Sequence, residues 1–433
     1  LRRYWGAIAA CALIIGCSVT RTDRLAAVPN LYNEGRNYSE ARVPETYRTV
    51  TPELLYVTNR SQDLQSNGVP VYVPERSDSM GYGTAQVQFE GADSWPALLA
   101  HNGEAMIAHP VRLSVVSMKD KVRFSKTPLD AERRDGLVVV DPVAQAEYEG
   151  YARQFREAIR AKVRETGTGR ILFYVHGFNN DFEDSLVTLA NLWHFSGRQS
   201  IPMAFSWPAG HKGIFKYFKD REAGEFSVFH LKETLDLLAS VPEVTQIDIV
   251  AHSRGADVVT AGLRELIIRE RARGHRPKDT MKTGTLILAA PDLDVGIVRQ
   301  RLLSERFSEG FEQVNVYVNP KDQALAYAAL LTQGARFGRL DAEDFAPGEL
   351  ASLRRVGLIH FIRVEGVSGL GHSYFRDNPG VMSDIALALL TRAFPGGTLR
   401  PLEFDQENIW TLHPAYPLER LPDLNDRFLE SPR

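Results

Sequence analysis

From residue 171 onward the chain repeats one pattern: a short apolar run, then a stretch with apolar residues three and four positions apart. Ile171-Leu172-Phe173-Tyr174-Val175 precedes Phe182, Leu186, Leu189 and Trp193, and the run at 202–205 precedes Val228, Leu231, Leu235 and Leu238. Ile247-Asp248-Ile249-Val250 precedes Val259, Leu263, Leu266 and Ile267. Runs at 286–289, 314–318 and 358–364 supply three more strands, and Val381, Ile385 and Leu389 mark a late helix. Short β runs separated by helices pair in parallel and have both faces covered. The expected fold class is therefore α/β, with a mostly parallel central sheet flanked by helices. Earlier β-like runs at 53–58, 83–89 and 111–116 are joined by Gly- and Ser-containing stretches instead of helices, which predicts antiparallel strands at an N-terminal edge. Between the two regions, Tyr148, Tyr151, Phe155, Ile159 and Val163 form an amphipathic helical stripe that ends near Gly167.

The first residues read as an address. Arg2 and Arg3 precede an apolar stretch at 5–16 that is too short to span a bilayer and has the layout of a secretory signal. It ends in Ile14-Ile15-Gly16-Cys17, which resembles the bacterial lipobox, so Cys17 is expected to carry acyl chains after cleavage. Several acyl chains hold a protein at a bilayer far better than one. Cys11 leaves with the signal, so the mature chain has no free thiol, as suits an oxidising compartment. The expected organisation is a signal at 1–16, a lipid-attached tether at 17–46, the α/β domain at 47–396 and a surface extension at 397–433. The expected location is the cell envelope, facing the periplasm or the exterior. Two cysteines make neither a disulfide framework nor a four-cysteine zinc site. With 51 Lys+Arg against 54 Asp+Glu the formal net charge is −3, which gives nucleic acid no general electrostatic footing.

Ala251-His252-Ser253-Arg254-Gly255 lies between a buried run and a helix. A serine on a tight strand-to-helix turn projects its Oγ out of the sheet, toward a reacting carbon. Such a turn needs small residues two before and two after the serine; Gly255 meets this fully and Ala251 adds one methyl. The Arg254 N–H lies at a helix N-terminus, well placed for a developing negative charge. Val175-His176-Gly177-Phe178-Asn179 follows the first strand of the repeating region. Its glycine permits a close backbone approach, so the Phe178 N–H becomes the second donor of an oxyanion hole. His176 is expected to orient this loop, and His252 to point away from the nucleophile.

A serine needs a base, and the base needs an orienting carboxylate. Asn319-Pro320-Lys321-Asp322 follows the run at 314–318, and Gly369-Leu370-Gly371-His372 follows the run at 358–364. Both therefore fall at carboxyl ends of strands, in the order Ser253, Asp322, His372 expected of α/β-hydrolases. Asp292 and Asp294, after the run at 286–289, remain alternatives for the acid.

These residues resemble an uncharacterised family of bacterial α/β-hydrolases in the esterase/lipase superfamily. The resemblance rests on Tyr56-Val57-Thr58-Asn59-Arg60, Tyr82-Gly83, Val175-His176-Gly177-Phe178-Asn179, Phe205-Ser206-Trp207-Pro208, Ala251-His252-Ser253-Arg254-Gly255, Ala290-Pro291-Asp292 and Gly371-His372-Ser373-Tyr374. It implies an α/β-hydrolase fold with Ser253, Asp322 and His372 as its triad. Arg254 is bulkier than the residue the family pattern has there, which bears on pocket shape. The function expected is carboxylic ester hydrolysis on a small-molecule ester or acyl substrate. Peptides and thioesters suit the same machinery, and an inactive envelope scaffold on a hydrolase fold is the alternative from another class. No H-E-x-x-H, Cys/His cluster, P-loop or dinucleotide fingerprint occurs, so no metal or cofactor is expected. Segments 209–224 and 330–356 are candidates to cover the site.

Overall fold

The computed structural model describes residues 24–416, apart from residues 36, 65–69, 104–109, 214, 347, 368 and 407. The signal, Cys17 and the last part of the expected C-terminal extension lie outside the described residues. The strands in chain order are β1 (Glu53–Leu64), β2 (Pro70–Glu90), β3 (Arg112–Arg123), β4 (Ala131–Arg134), β5 (Leu137–Val140), β6 (Arg170–Val175) and β7 (Ile201–Ser206). They continue with β8 (Gln246–His252), β9 (Thr283–Ala289), β10 (Gln313–Val318), β11 (Ile359–Val364), β12 (Glu403–Gln406) and β13 (Ile409–Leu412). Eleven of them form one sheet in the order β12-β13-β11-β10-β9-β8-β6-β7-β1-β2-β3, and β4 and β5 pair as a separate hairpin. Pairing is parallel from β13 through to β1 and antiparallel at β12–β13, β1–β2 and β2–β3.

Strand periodicity of two explains why β6 is apolar without interruption. Ile171, Phe173 and Val175 belong to one core, with Phe155 and Ile159 of the helix Pro142–Thr166 and Leu231 and Leu235 of the helix Lys216–Ala239. Leu172 and Tyr174 belong to the other, with Leu186 and Leu189 of the helix Phe182–Phe195 and Ile385 of the helix Pro379–Thr391. The helix Pro142–Thr166 starts where Asp141 accepts hydrogen bonds from the Val143 and Ala144 N–H groups, with Pro142 at its first turn. It stops at Gly167, whose φ of 68° suits a residue without a Cβ.

The strand order reverses at β6, which has β7 on one side and β8 on the other. The chain leaves β6 toward one face of the sheet and its neighbour β8 toward the other, and a crevice opens at their carboxyl ends. It is here that the chain can hold a ligand against backbone N–H groups.

Two segments differ from expectation. Within the segment expected as a tether at 17–46, Leu31, Tyr32, Tyr38 and Val43 are buried against the domain, and the Leu31 N–H donates to Ser383 Oγ at 3.1 Å. Leu31 and Tyr32 sit on one 3-10 turn and Tyr47 on another, with Tyr38 and Val43 between them, so no single period runs through them. After residue 396 the chain does more than cover a surface, since β13 extends the sheet by pairing in parallel with β11. Arg400 anchors this segment. Its guanidinium, fully buried, donates to Asp384 Oδ1 and Oδ2 at 2.8 and 2.7 Å and to Asn315 Oδ1 at 2.7 Å. Among the described residues no helix is long and apolar enough to cross a membrane.

Replacing Arg400 by Leu leaves Asp384 as a buried carboxylate without its cation. A loss of about 3–5 kcal/mol is expected in urea unfolding. An unchanged midpoint would show that β12 and β13 are not anchored through this pair.

Candidate active site

Ser253 sits between β8 and the helix Gly255–Ala272 with a φ of +51°. This left-handed conformation costs a residue with a Cβ about 1–2 kcal/mol. The Ser253 N–H donates to the Ala289 carbonyl at 3.0 Å, and the Asp292 N–H donates to the Ser253 carbonyl at 3.1 Å, so both sides of the turn are held. A Cβ at Gly255 would overlap the His176 carbonyl, and one at Gly177 would come within 2.9 Å of Ser253 Cβ. Only glycine at these two positions lets the loop after β6 lie against the turn after β8.

His372 follows β11, in a loop where Asn319 Nδ2 donates to the Gly371 carbonyl at 2.8 Å. Its Nε2 is 2.9 Å from Ser253 Oγ, and its Nδ1 is 2.7 Å from Asp322 Oδ2. A carboxylate only accepts, so Nδ1 carries the proton and Nε2 is left to receive the serine hydroxyl. Asp322 is fully buried and caps the helix Gln323–Thr332, its Oδ1 accepting the Leu325 N–H at 2.9 Å. One oxygen thus starts a helix and the other orients the imidazole. Burial disfavours the charged imidazolium, but the charge and hydrogen bond of Asp322 outweigh it, and His372 titrates above the ordinary histidine value.

The structure brings together Ser253, Asp322 and His372, and places the other two carboxylates elsewhere. Asp292, buried, accepts from Tyr217 Oη at 3.1 Å and lies 3.4 Å from Arg336 Nε and 3.8 Å from Arg254 Nε. Asp294 caps a short turn through the Ile297 N–H at 3.0 Å. The Phe178 and Arg254 N–H groups have no acceptor among the described residues. His176 is buried, stacked 5.1 Å from the Trp207 ring, and within hydrogen-bond distance of Gly177, Arg60 and Ser206, not Ser253. Burial first, and then Arg60, push His176 down to about 3, so it stays neutral. His252 stacks on Phe375 at 4.4 Å and is kept neutral by burial.

Two positioning residues escape sequence reasoning. Asp220 is fully buried and accepts from the N–H groups of Asn179, Gly210 and His211 at 3.0, 3.1 and 3.1 Å and from His211 Nδ1 at 2.7 Å. Asn179, next to Phe178, has a φ of +58°, so Asp220 fixes the peptide that follows the donor. Arg60, also buried, donates to the Asn180 and Ala209 carbonyls at 2.9 and 2.8 Å and ties the same two loops from β1. The signal for Asp220 is a carboxylate in line with Tyr217, Gly224, Ser227 and Leu231 on the buried face of its helix. Arg60 stands in a motif quoted above, but nothing in its spacing assigns it a role.

A cleft of about 640 Å³ opens onto Ser253 and His372. Tyr217 supplies one wall from segment 209–224, whereas residues 324, 325, 327, 328, 366, 367 and 369–379, not segment 330–356, supply the opposing lining.

The model of a family described as alpha/beta hydrolase of unknown function (DUF900) matches residues 151–392, more than half of the chain, and the chain belongs to this family. No curated protein matches it in sequence. Among solved structures, a Pyrobaculum calidifontis esterase in its monoclinic form matches with 13% identity and a TM-score of 0.27, over 51% of this chain and 75% of that one.

Asp220→Asn places an amide NH2 against N–H donors, so the peptide after Phe178 loses its fixed orientation. Hydrolytic turnover is expected to fall about 10- to 100-fold in kcat with little change in KM. A purely structural role would instead lower the melting temperature and leave kcat of the folded fraction intact.

Proposed function

We propose that the protein is a serine hydrolase that cleaves carboxylic esters, held at the cell envelope by an acylated Cys17. The observation that carries the catalytic part is the single hydrogen-bonded line from Asp322 through His372 to Ser253 Oγ. The anchor rests on the lipobox-like sequence alone. In this reading, Ser253 Oγ attacks the ester carbonyl carbon as its proton passes to His372 Nε2. The Phe178 and Arg254 N–H groups hold the oxyanion that forms, and losing one such donor typically costs about 10²–10³ in rate. Collapse breaks the ester bond, and the leaving alcohol takes the proton from His372. Water then attacks the acyl-enzyme, its proton going to His372, and collapse releases the acid while the proton returns to Ser253. Asp322 stays ionised throughout and stabilises the imidazolium.

A fluorophosphonate probe is expected to label the protein and to leave Ser253→Ala unlabelled. Folded protein that resists labelling would instead support an inactive scaffold. Asp322→Asn is expected to lower ester turnover by roughly 10³- to 10⁴-fold, and Asp292→Asn by far less. The reverse ranking would move the acid to Asp292.

His372 must be neutral to act as base, so kcat/KM rises with pH through its pKa. Because Asp322 raises that pKa, the acid limb is expected above the free-histidine value of about 6.5. In Asp322→Asn the residual activity should show this limb at lower pH, where burial is the largest remaining influence and Asp292 offsets it only in part. A limb that does not move would separate His372 from the titration.

A further inference from the structure

We propose that the mouth of the cleft is a docking surface for an anionic lipid bilayer, from which an ester lipid enters the site. This rests on the ester-hydrolase reading and names its substrate class. The helix Gln323–Thr332 has the sequence QALAYAALLT, with no charged residue, yet only Leu325 and Ala328 are fully buried. Ala324, Leu325, Tyr327 and Ala328 line the cleft, while Leu330, next in line, is 62% exposed. A helix beside water ordinarily turns a polar face outward; an apolar face left open calls for an apolar medium.

A second wall carries the same chemistry with charge added. Tyr217 lines the cleft between exposed Phe215 and Phe218, which are 63% and 42% exposed. Ring centroids step from Phe178 to Tyr217 at 5.6 Å and on to Phe218 at 5.8 Å, an aromatic track from the oxyanion loop to the surface. Lys212 and Lys219 flank these rings, exposed and without a carboxylate partner among the described residues. No acidic residue lies between them in the sequence, and Asp220, which follows Lys219, is buried and engaged by four donors. The exposed Glu222 and Glu225 follow on the same helix, Glu222 lying 3.9 Å from Arg76, so the positive charge is confined to the two lysines beside the rings. Aromatic rings that enter the headgroup boundary beside lysines that meet anionic headgroups are the chemistry of interfacial binding. A small water-soluble ester would need neither.

The test uses the full chain carrying Cys17→Ser, so that no acyl anchor contributes. Partition is measured on phosphatidylcholine vesicles with and without phosphatidylglycerol. Anionic vesicles are expected to bind roughly tenfold more tightly, with the preference lost in Lys212→Glu/Lys219→Glu. Phe215→Ser/Phe218→Ser is expected to weaken binding to both vesicle types. Both double variants should hydrolyse a soluble short-chain ester like the unsubstituted protein and lose turnover of an ester embedded in anionic vesicles. Equal partition to the two vesicle types, or an unchanged preference after the lysine substitutions, overturns the docking surface. Tight capture of a soluble protein by this face, with vesicles ignored, overturns it too. If the soluble ester is not cleaved at all, the hydrolase reading fails, while vesicle partition still reports on the surface.

Discussion

The site depends on two backbone segments touching where any side chain would hold them apart. Gly177, after β6, lies against Ser253, and Gly255, after β8, lies against the His176 carbonyl. Adjacent strands are only about 4.8 Å apart, but the chain leaves them toward opposite faces of the sheet, so contact just beyond their ends is not automatic. The two glycines permit it, and the contact brings the loop that carries Phe178 against the turn that carries Ser253 and Arg254. Parallel pairing does the rest. It points the carboxyl ends of β10 and β11 to the same edge, so Asp322 and His372 arrive beside a serine that is 119 residues away from His372.

Buried carboxylates hold the arrangement rigid. Asp220, Asp322 and Asp384 are all fully buried, and each is surrounded by donors or a cation. An unpaired charge in such a place would cost several kcal/mol, so each carboxylate pins the groups that satisfy it. Asp220 pins the loops after β6 and β7, Asp322 pins an imidazole and a helix start, and Asp384 pins the last strands. Asp292, in the cleft wall, is tied instead to Arg254 and Arg336. Its proximity to Ser253 in the chain fold therefore does not make it the partner of His372.

The helix Gln323–Thr332 links the inner and outer parts of the site. Its first turn is capped by the carboxylate beside His372, and near its other end Leu330 is exposed. A force that seats its outer face against a bilayer would act on an element whose N-terminus is fixed in the catalytic line.

Local pattern in the sequence was enough for the sheet, the helices that cover it, the serine turn and the strand-end placement of Asp322 and His372. Periods of 2 and 3.6 and the small residues around Ser253 express constraints that act between near neighbours. The α/β-hydrolase family membership was legible in the same motifs. Residues 24–47 and the strands β12 and β13 were not, because isolated apolar residues on short turns and four-residue edge strands become ordered only against a core that the rest of the chain has built. The choice among Asp322, Asp292 and Asp294 was likewise decided by tertiary structure, since all three follow strands and only the three-dimensional arrangement assigns the arginines to one and the histidine to another. Asp220 and Arg60 show the same division. A buried charge is tolerable only where distant backbone groups converge to satisfy it, and that convergence has no counterpart in linear spacing.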